Sequence, residues 1–98
     1  MTTAAEVEPI ARAALVRLDC PPALLKVEDY LPPRVLKNGD KQFGNILLVC
    51  DVSGIPPDVK TFNFLLNNFF LRLPEEIRGR FGFSWRSVAE GRKAGLIP

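Results

Sequence analysis

The hydrophobic residues of the chain are concentrated in one stretch, residues 59–73, whose sequence is VKTFNFLLNNFFLRL. Nine of these fifteen residues are large and apolar, and four are phenylalanine. Because the stretch is long for a strand and its adjacent apolar pairs break strand alternation, the pattern predicts a helix over about residues 58–73. Phe64 and Leu71 then lie away from the main apolar face, which consists of Phe62, Leu65, Leu66, Phe69, Phe70 and Leu73.

A second helical pattern lies near the N-terminus. Apolar residues recur at i, i+3 and i+4 spacing between Val7 and Leu18, which is typical of an amphipathic helix with one buried face. Pro9 complicates its start, since proline is tolerated in the first turn of a helix and destabilises it further in. We therefore expect the helix to begin near residue 4 or near residue 8 and to end at Leu18.

The middle of the chain carries the signal of an antiparallel β-hairpin over about residues 34–52. Asn38-Gly39 separates two β-prone segments, and Asn-Gly suits a type I′ turn because both central positions need positive φ. The second arm has an apolar centre that is typical of a strand covered on both faces. Residues 23–31, ALLKVEDYL, fit a short helix about as well as a strand, so both assignments stay open.

Two short helices are predicted in the C-terminal quarter. Pro74 followed by two glutamates is typical of a helix start, which predicts a helix over residues 75–80. Ser84 can cap a last helix over about residues 85–94, closed by Gly95. Together these elements predict a small α+β fold in which residues 1–98 form a single domain.

The overall composition matches an ordinary globular domain. The 98 residues are 47% hydrophobic and 24% charged, and the net charge of +2 does not by itself indicate a polyanionic partner. The N-terminus has acids where a signal peptide needs bases, and no apolar run approaches the roughly 20 residues of a membrane span. We therefore expect a cytoplasmic protein without membrane contact, in which Cys20 and Cys50 are reduced.

Signals for enzymatic chemistry are weak. The chain has no histidine and no glycine-rich phosphate motif, so we predict neither a metal nor a cofactor. Cys50-Asp51 at a strand end, and the carboxylate pairs Glu6/Glu8 and Glu75/Glu76, are the remaining candidates. A buried cysteine acting as a small hydrophobe and acids in the first turns of helices are commoner explanations. We predict a non-enzymatic protein with no catalytic residue.

Residues 78–86, RGRFGFSWR, are the most suggestive functional segment. Arginines and aromatic residues are interleaved there, a composition typical both of protein-interface hot spots and of single-stranded nucleic-acid sites. Solvated arginines beside aromatics that close the core are a third explanation. We predict a surface through which an adaptor, inhibitor or assembly subunit binds another protein, formed by Arg78, Arg80, Phe83, Trp85 and Arg86. In the nucleic-acid alternative the arginines contact phosphates and Phe83 and Trp85 stack on bases.

The central helix offers a second contact surface. Monomers rarely leave large apolar patches exposed, so Phe64 and Leu71 would need a cover if they lie outside the core. A homodimer through Phe64 and Leu71 is predicted about equally with a monomer in which the hairpin and the N-terminal helix enclose the central helix.

Overall fold

A three-stranded mixed sheet with helices on both faces forms the fold, in a computed structural model that describes residues 2–18, 21–56 and 58–98. The predicted α+β class is confirmed. A 3-10 turn over residues 70–72 follows the second helix. The elements in chain order are α1 (Ala4–Arg17), β1 (Pro22–Val35), β2 (Lys41–Cys50), α2 (Thr61–Asn68), α3 (Glu75–Arg78), β3 (Phe81–Ser87) and α4 (Val88–Lys93).

Strand β2 lies at the centre of the sheet. It pairs with β1 in antiparallel and with β3 in parallel orientation, so the sheet order is β1-β2-β3. Leu48 of β2 lies opposite Leu25 on one side and Trp85 on the other. Because a parallel pair needs a crossover connection, the chain between β2 and β3 carries α2, the 3-10 turn and α3 across one face.

The predicted hairpin is present, and its first arm is much longer than expected. The predicted type I′ turn is wrong, because the Leu36 N–H donates to the Asp40 carbonyl oxygen at 2.8 Å and the Gly39 N–H donates to the Leu36 carbonyl oxygen at 3.0 Å, which makes a three-residue loop of 37–39. Gly39 has φ of +88°, and the backbone N–H of Asp40 donates to the side-chain oxygen of Asn38 at 3.0 Å. Strand β1 extends back to Pro22, so the open segment 23–31 is a strand. The pairing is irregular between Asp29 and Arg34, and the Leu31-Pro32 peptide bond within this irregularity is cis.

The central helix is shorter than predicted. Helix α2 ends at Asn68, whose side-chain amide donates to the carbonyl oxygen of Phe64 at 3.0 Å. Asparagine competes with backbone hydrogen bonding in this way, which explains why the helix gives way to a 3-10 turn. The predicted apolar face of the central helix is also wrong for two residues. Phe62 is 53% exposed, whereas Phe64 is partly buried and packs against the core.

Strand β3 was not predicted. Phe81, Phe83 and Trp85 alternate with smaller or polar residues, and this period of two belongs to a strand rather than to the start of a helix. The last helix consequently begins at residue 88. Its cap is Ser87 instead of Ser84, and Ser87 forms a capping box with Glu90. The predicted end is confirmed, since Gly95 has φ of +76° just after the C-cap.

The main core lies between one face of the sheet and helices α1, α2 and α3. Helix α1 begins at Ala4, with Pro9 inside it. Its buried residues, Val7, Ala11 and Leu15, face the sheet. Phe69 is the largest fully buried side chain. Helix α4 packs on the opposite face, where the absence of a side chain at Gly91 allows close approach to Val49. The main core comprises Val7, Ala11, Leu15, Leu25, Ile46, Leu48, Cys50, Leu65, Phe69, Leu73, Ile77 and Phe81.

Candidate functional site

The predicted aromatic contacts of β3 point toward the core. Phe83 lies with its ring centroid 5.3 Å from that of Phe69 and 5.5 Å from that of Phe70, the second pair being stacked. Trp85, two residues further along the same strand face, is also partly buried against the core. Both side chains are partly buried against the core, so the explanation that these aromatics close the core applies to Phe83 and Trp85 alike.

The arginines of the same segment lie at separate places. Arg86 is exposed on the sheet face opposite Trp85, and its guanidinium donates to the Trp85 carbonyl oxygen at 2.8 Å. Arg80 precedes the other end of β3, and six strand residues span about 20 Å. The five predicted contact residues thus do not form one continuous patch. Arg78 and Arg80 lie at the hairpin end of the sheet, apart from Arg86.

Arg80 is held against an aromatic ring. Its guanidinium carbon lies 4.0 Å from the ring centroid of Phe43, a cation–π geometry, and the Phe43 backbone N–H donates to the Arg80 carbonyl oxygen at 2.8 Å. The Nε atom of Arg80 is buried without a hydrogen-bond partner. Stacking on the ring fixes the orientation of the guanidinium without neutralising its charge.

Among the described residues, no carboxylate lies within ion-pair distance of Arg80. Within residues 2–18, 21–56 and 58–98 the side-chain ion pairs are Glu8–Arg12 at 3.0 Å and Lys26–Glu28 at 3.9 Å, neither of which involves it. A buried polar atom without a partner is uncommon in proteins. The Nε atom is out of reach of a ligand, but Arg80 lines two surface clefts.

The first cleft, which we name the Leu31 cleft, is mainly apolar and has a volume of about 300 Å³. Leu31 is 89% exposed at its edge, an unusual degree for a leucine. Its walls come from the irregular part of β1, the start of β2 and the N-terminal segment. The lining residues are Thr2, Thr3, Asp29, Tyr30, Leu31, Pro33, Phe43 and Arg80.

The second cleft, which we name the Lys41 cleft, also has a volume of about 300 Å³ and is more polar. It adds two cations, Lys41 and Arg78, to the charge of Arg80. The Nε atom of Arg78 donates to the Leu73 carbonyl oxygen at 2.9 Å, which anchors that side chain. The lining residues are Leu36, Asp40, Lys41, Gln42, Arg78, Gly79, Arg80, Phe81 and Gly82.

Acidic groups at the two clefts are already engaged by neighbouring donors. Asp29 accepts a hydrogen bond from the Ala4 backbone N–H at 3.0 Å, and Asp40 accepts one from the Asn38 amide at 2.9 Å. Each cleft thus has one acid, and the pair has three cations, of which Arg80 is common to both. The charges of Asp29 and Arg80 balance in the Leu31 cleft, and the excess of positive charge lies in the Lys41 cleft.

The sequence reasoning found Arg78 and Arg80 and missed the rest of this site. Leu31, Tyr30 and Phe43 belong to segments that were interpreted only as hairpin or as an undecided element. The sequence signal that could have indicated this site is Leu31, an apolar residue directly before Pro32-Pro33, because proline interrupts regular strand pairing.

The catalytic candidates that the structure describes lie on different elements of the fold. Cys50 is fully buried in the core, and Cys20 lies outside the described residues. The Ser53 backbone N–H and side chain lower the pKa of Asp51 by hydrogen bonding. Glu75 and Glu76 occupy the first turn of α3. The described part of the chain contains no cluster of three metal-ligating side chains, and no helix in it is long and apolar enough to cross a bilayer.

Comparison of the chain with protein families, with characterised proteins and with solved structures finds no match. Any functional conclusion therefore rests on the geometry of the chain itself.

Proposed function

We propose that this protein is a non-enzymatic interaction module that docks another protein over the Leu31 cleft. The observation that carries the proposal is the solvent-exposed Leu31 beside an apolar cleft that contains an oriented, unpaired arginine. Interface hot spots combine apolar anchors, aromatic residues and arginine in this way. Such a module would suit the role of a small adaptor, inhibitor or assembly subunit acting in the cytoplasm.

The predicted contact set is revised accordingly. Arg80 belongs to the proposed docking surface, which gains Leu31, Tyr30 and Phe43, whereas Arg78 lines the adjoining Lys41 cleft. Phe83 supports the fold by packing on Phe69 and Phe70, so its contribution to binding would be indirect. Trp85 and Arg86 lie toward the other end of β3 on opposite faces of the sheet, so they would not share one contact surface.

Nucleic-acid binding is the competing proposal. It requires aromatic rings that can stack on bases beside cations that contact phosphates. Phe83 and Trp85, the two predicted stacking residues, are both partly buried against the core, which leaves less ring surface for bases. Phosphate contacts release counterions, so binding of this kind would weaken steeply with salt. A docking surface anchored by Leu31 should weaken much less with salt, because its apolar contact releases no counterions.

Self-association is a further proposal for the surface of α2 and the turn that follows it. Leu71 is 46% exposed, and Phe64 is partly buried against the core. Leu71 would therefore make the main contact in a homodimer, and Phe64 would contribute less.

The proposal of a docking module is tested by comparing two exposed apolar residues. Tagged wild-type protein, Leu31→Ser and Val16→Ser are used to isolate partners from the native cell, followed by quantitative mass spectrometry. Val16 is 80% exposed on α1 and serves as the matched control. We expect a partner that is retained by wild type and Val16→Ser and lost with Leu31→Ser. Recovery that is equal for all three proteins contradicts the proposal.

A further inference from the structure

We propose that the Leu31 cleft recognises an acidic side chain next to an apolar residue in the partner, with the carboxylate bound by Arg80. This inference rests on the proposed docking function and adds to it the chemistry of the docked segment.

The orientation of Arg80 leaves one direction from which a ligand can bind its guanidinium. A guanidinium has five N–H donors, of which the Nε donor is buried here. Its flat face is covered on one side by the Phe43 ring at 4.0 Å. Only the two terminal nitrogens can reach a ligand, and two parallel N–H donors match the two oxygens of a carboxylate. The site is therefore preorganised for end-on, bidentate binding.

The surrounding charge also favours an acid. Lys41 and Arg78 reinforce the positive charge of Arg80 in the adjoining Lys41 cleft. Asp29 and Asp40 oppose it, but each accepts a hydrogen bond from a neighbouring group, and neither lies within ion-pair distance of Arg80. An incoming carboxylate would complete the missing ion pair in a partly desolvated place, where such a pair is stronger than at an open surface.

The apolar part of the cleft specifies the neighbour of that acid. Tyr30, Leu31 and Pro33 present carbon-rich surface beside Arg80. A segment of alternating or adjacent acidic and apolar residues would cover Leu31 while its carboxylate meets Arg80. A free small carboxylate would leave Leu31 exposed, and a polyphosphate chain would not cover it either.

The test uses a library of random ten-residue peptides with amidated C-termini, selected against the folded full-length chain. We expect enrichment of Asp or Glu beside Leu, Ile, Phe or Trp. The dissociation constant of the most enriched peptide is then measured by fluorescence anisotropy. Arg80→Gln should raise it at least tenfold, equivalent to about 1.4 kcal/mol. Arg92→Gln removes the same charge on α4 and should leave it within twofold.

A double substitution separates direct contact from a general charge effect. Replacing the acid of the peptide with its amide should weaken binding to wild type at least tenfold and weaken binding to Arg80→Gln much less, because the shared contact is already lost. Arg80→Lys keeps the charge but not the two parallel N–H donors, so it should also bind the peptide less tightly. Circular dichroism melting curves establish that each variant is folded, and Arg80→Lys replaces Arg80→Gln if the latter is not.

Several results would overturn the inference. These are enriched peptides without acids, no enriched peptide at all, or equal affinities for Arg80→Gln and Arg92→Gln. The same variants distinguish this failure from that of the docking function. A cellular partner that depends on Leu31 but is retained by Arg80→Gln would sustain docking and refute the acidic ligand. Acidic peptides that bind while no Leu31-dependent partner exists would sustain the acidic ligand and refute docking.

Discussion

Replacing Phe83 with alanine should destabilise the fold rather than remove a contact with a partner. The ring of Phe83 packs against both Phe69 and Phe70, at centroid distances of 5.3 and 5.5 Å. Phe62 provides a matched control, since it is the same residue type and is 53% exposed on α2. The sequence pattern alone places Phe62 on the main apolar face of the central helix and leaves Phe83 open between a contact surface and the core.

The expected magnitude follows from these environments. Complete removal of a buried phenylalanine ring costs about 3–5 kcal/mol, and each aromatic pair contributes about 0.5–1.5 kcal/mol of its own. Because Phe83 is only partly buried, we expect Phe83→Ala to lower the free energy of unfolding by about 2–4 kcal/mol. Phe62→Ala removes an exposed ring and should change it by about 0.5 kcal/mol or less.

Urea denaturation followed by circular dichroism measures both values. In a domain of this size each 1 kcal/mol corresponds to about 4–8 °C in Tm, so Phe83→Ala should melt at least about 8 °C below wild type. Equal destabilisation by the two substitutions would refute the assignment of Phe83 to the core. So would a stable Phe83→Ala protein that has lost only its partner.

Three further predictions concern other parts of the fold. Gly44→Ala should destabilise the protein strongly, because its Cβ would clash with the Glu28 carbonyl and lie 2.5 Å from the Phe81 ring; a thermal melt unchanged from wild type would contradict that packing. Ser87→Ala should cost about 1 kcal/mol by removing the cap of α4. Hydrogen bonds from Ser87 lower the pKa of Glu90, so their stabilisation is present above the ordinary glutamate pKa of 4.5 and is lost as the pH falls through the folded-state value. Melting curves across this acidic range should show less pH dependence for Ser87→Ala than for wild type, and equal dependence would count against the capping box. The proposed self-association predicts a dimer mass by sedimentation for wild type and a monomer mass for Leu71→Ser, and identical masses would remove that proposal.

Local patterns in the sequence were sufficient for the elements that depend on local interactions. The 3.6-residue period of α1 and the Asn38-Gly39 turn are examples, since both are determined by residues close together in the chain. The end of α4 at Gly95 is another, because positive φ there follows from the residue type.

Non-local pairing explains what could not be predicted. Strand β3 forms only because Phe81 comes to lie opposite Gly44, and nothing within residues 81–87 indicates that partner. The short alternation of Phe81, Phe83 and Trp85 competed with a plausible helix cap at Ser84. Because the helix cap at Ser84 was preferred, a strand that packs against the core was predicted as a contact surface.

The candidate site depends on the same non-local pairing. Leu31, Phe43 and Arg80 are distant in sequence and meet because β1 and β3 flank opposite edges of β2 near its start. The composition of residues 78–86 correctly drew attention to Arg80 and could not show which aromatic ring it contacts.

Site-specific photo-crosslinking tests the central claim most directly, namely that the Leu31 cleft is where a partner protein docks. A photo-reactive phenylalanine analogue replaces Leu31 in one variant and Val16 in the other, and both are irradiated in the native cell. The account predicts a crosslink to a discrete protein from position 31 and none from position 16. Crosslinking to nucleic acid, or the same products from both positions, would contradict it.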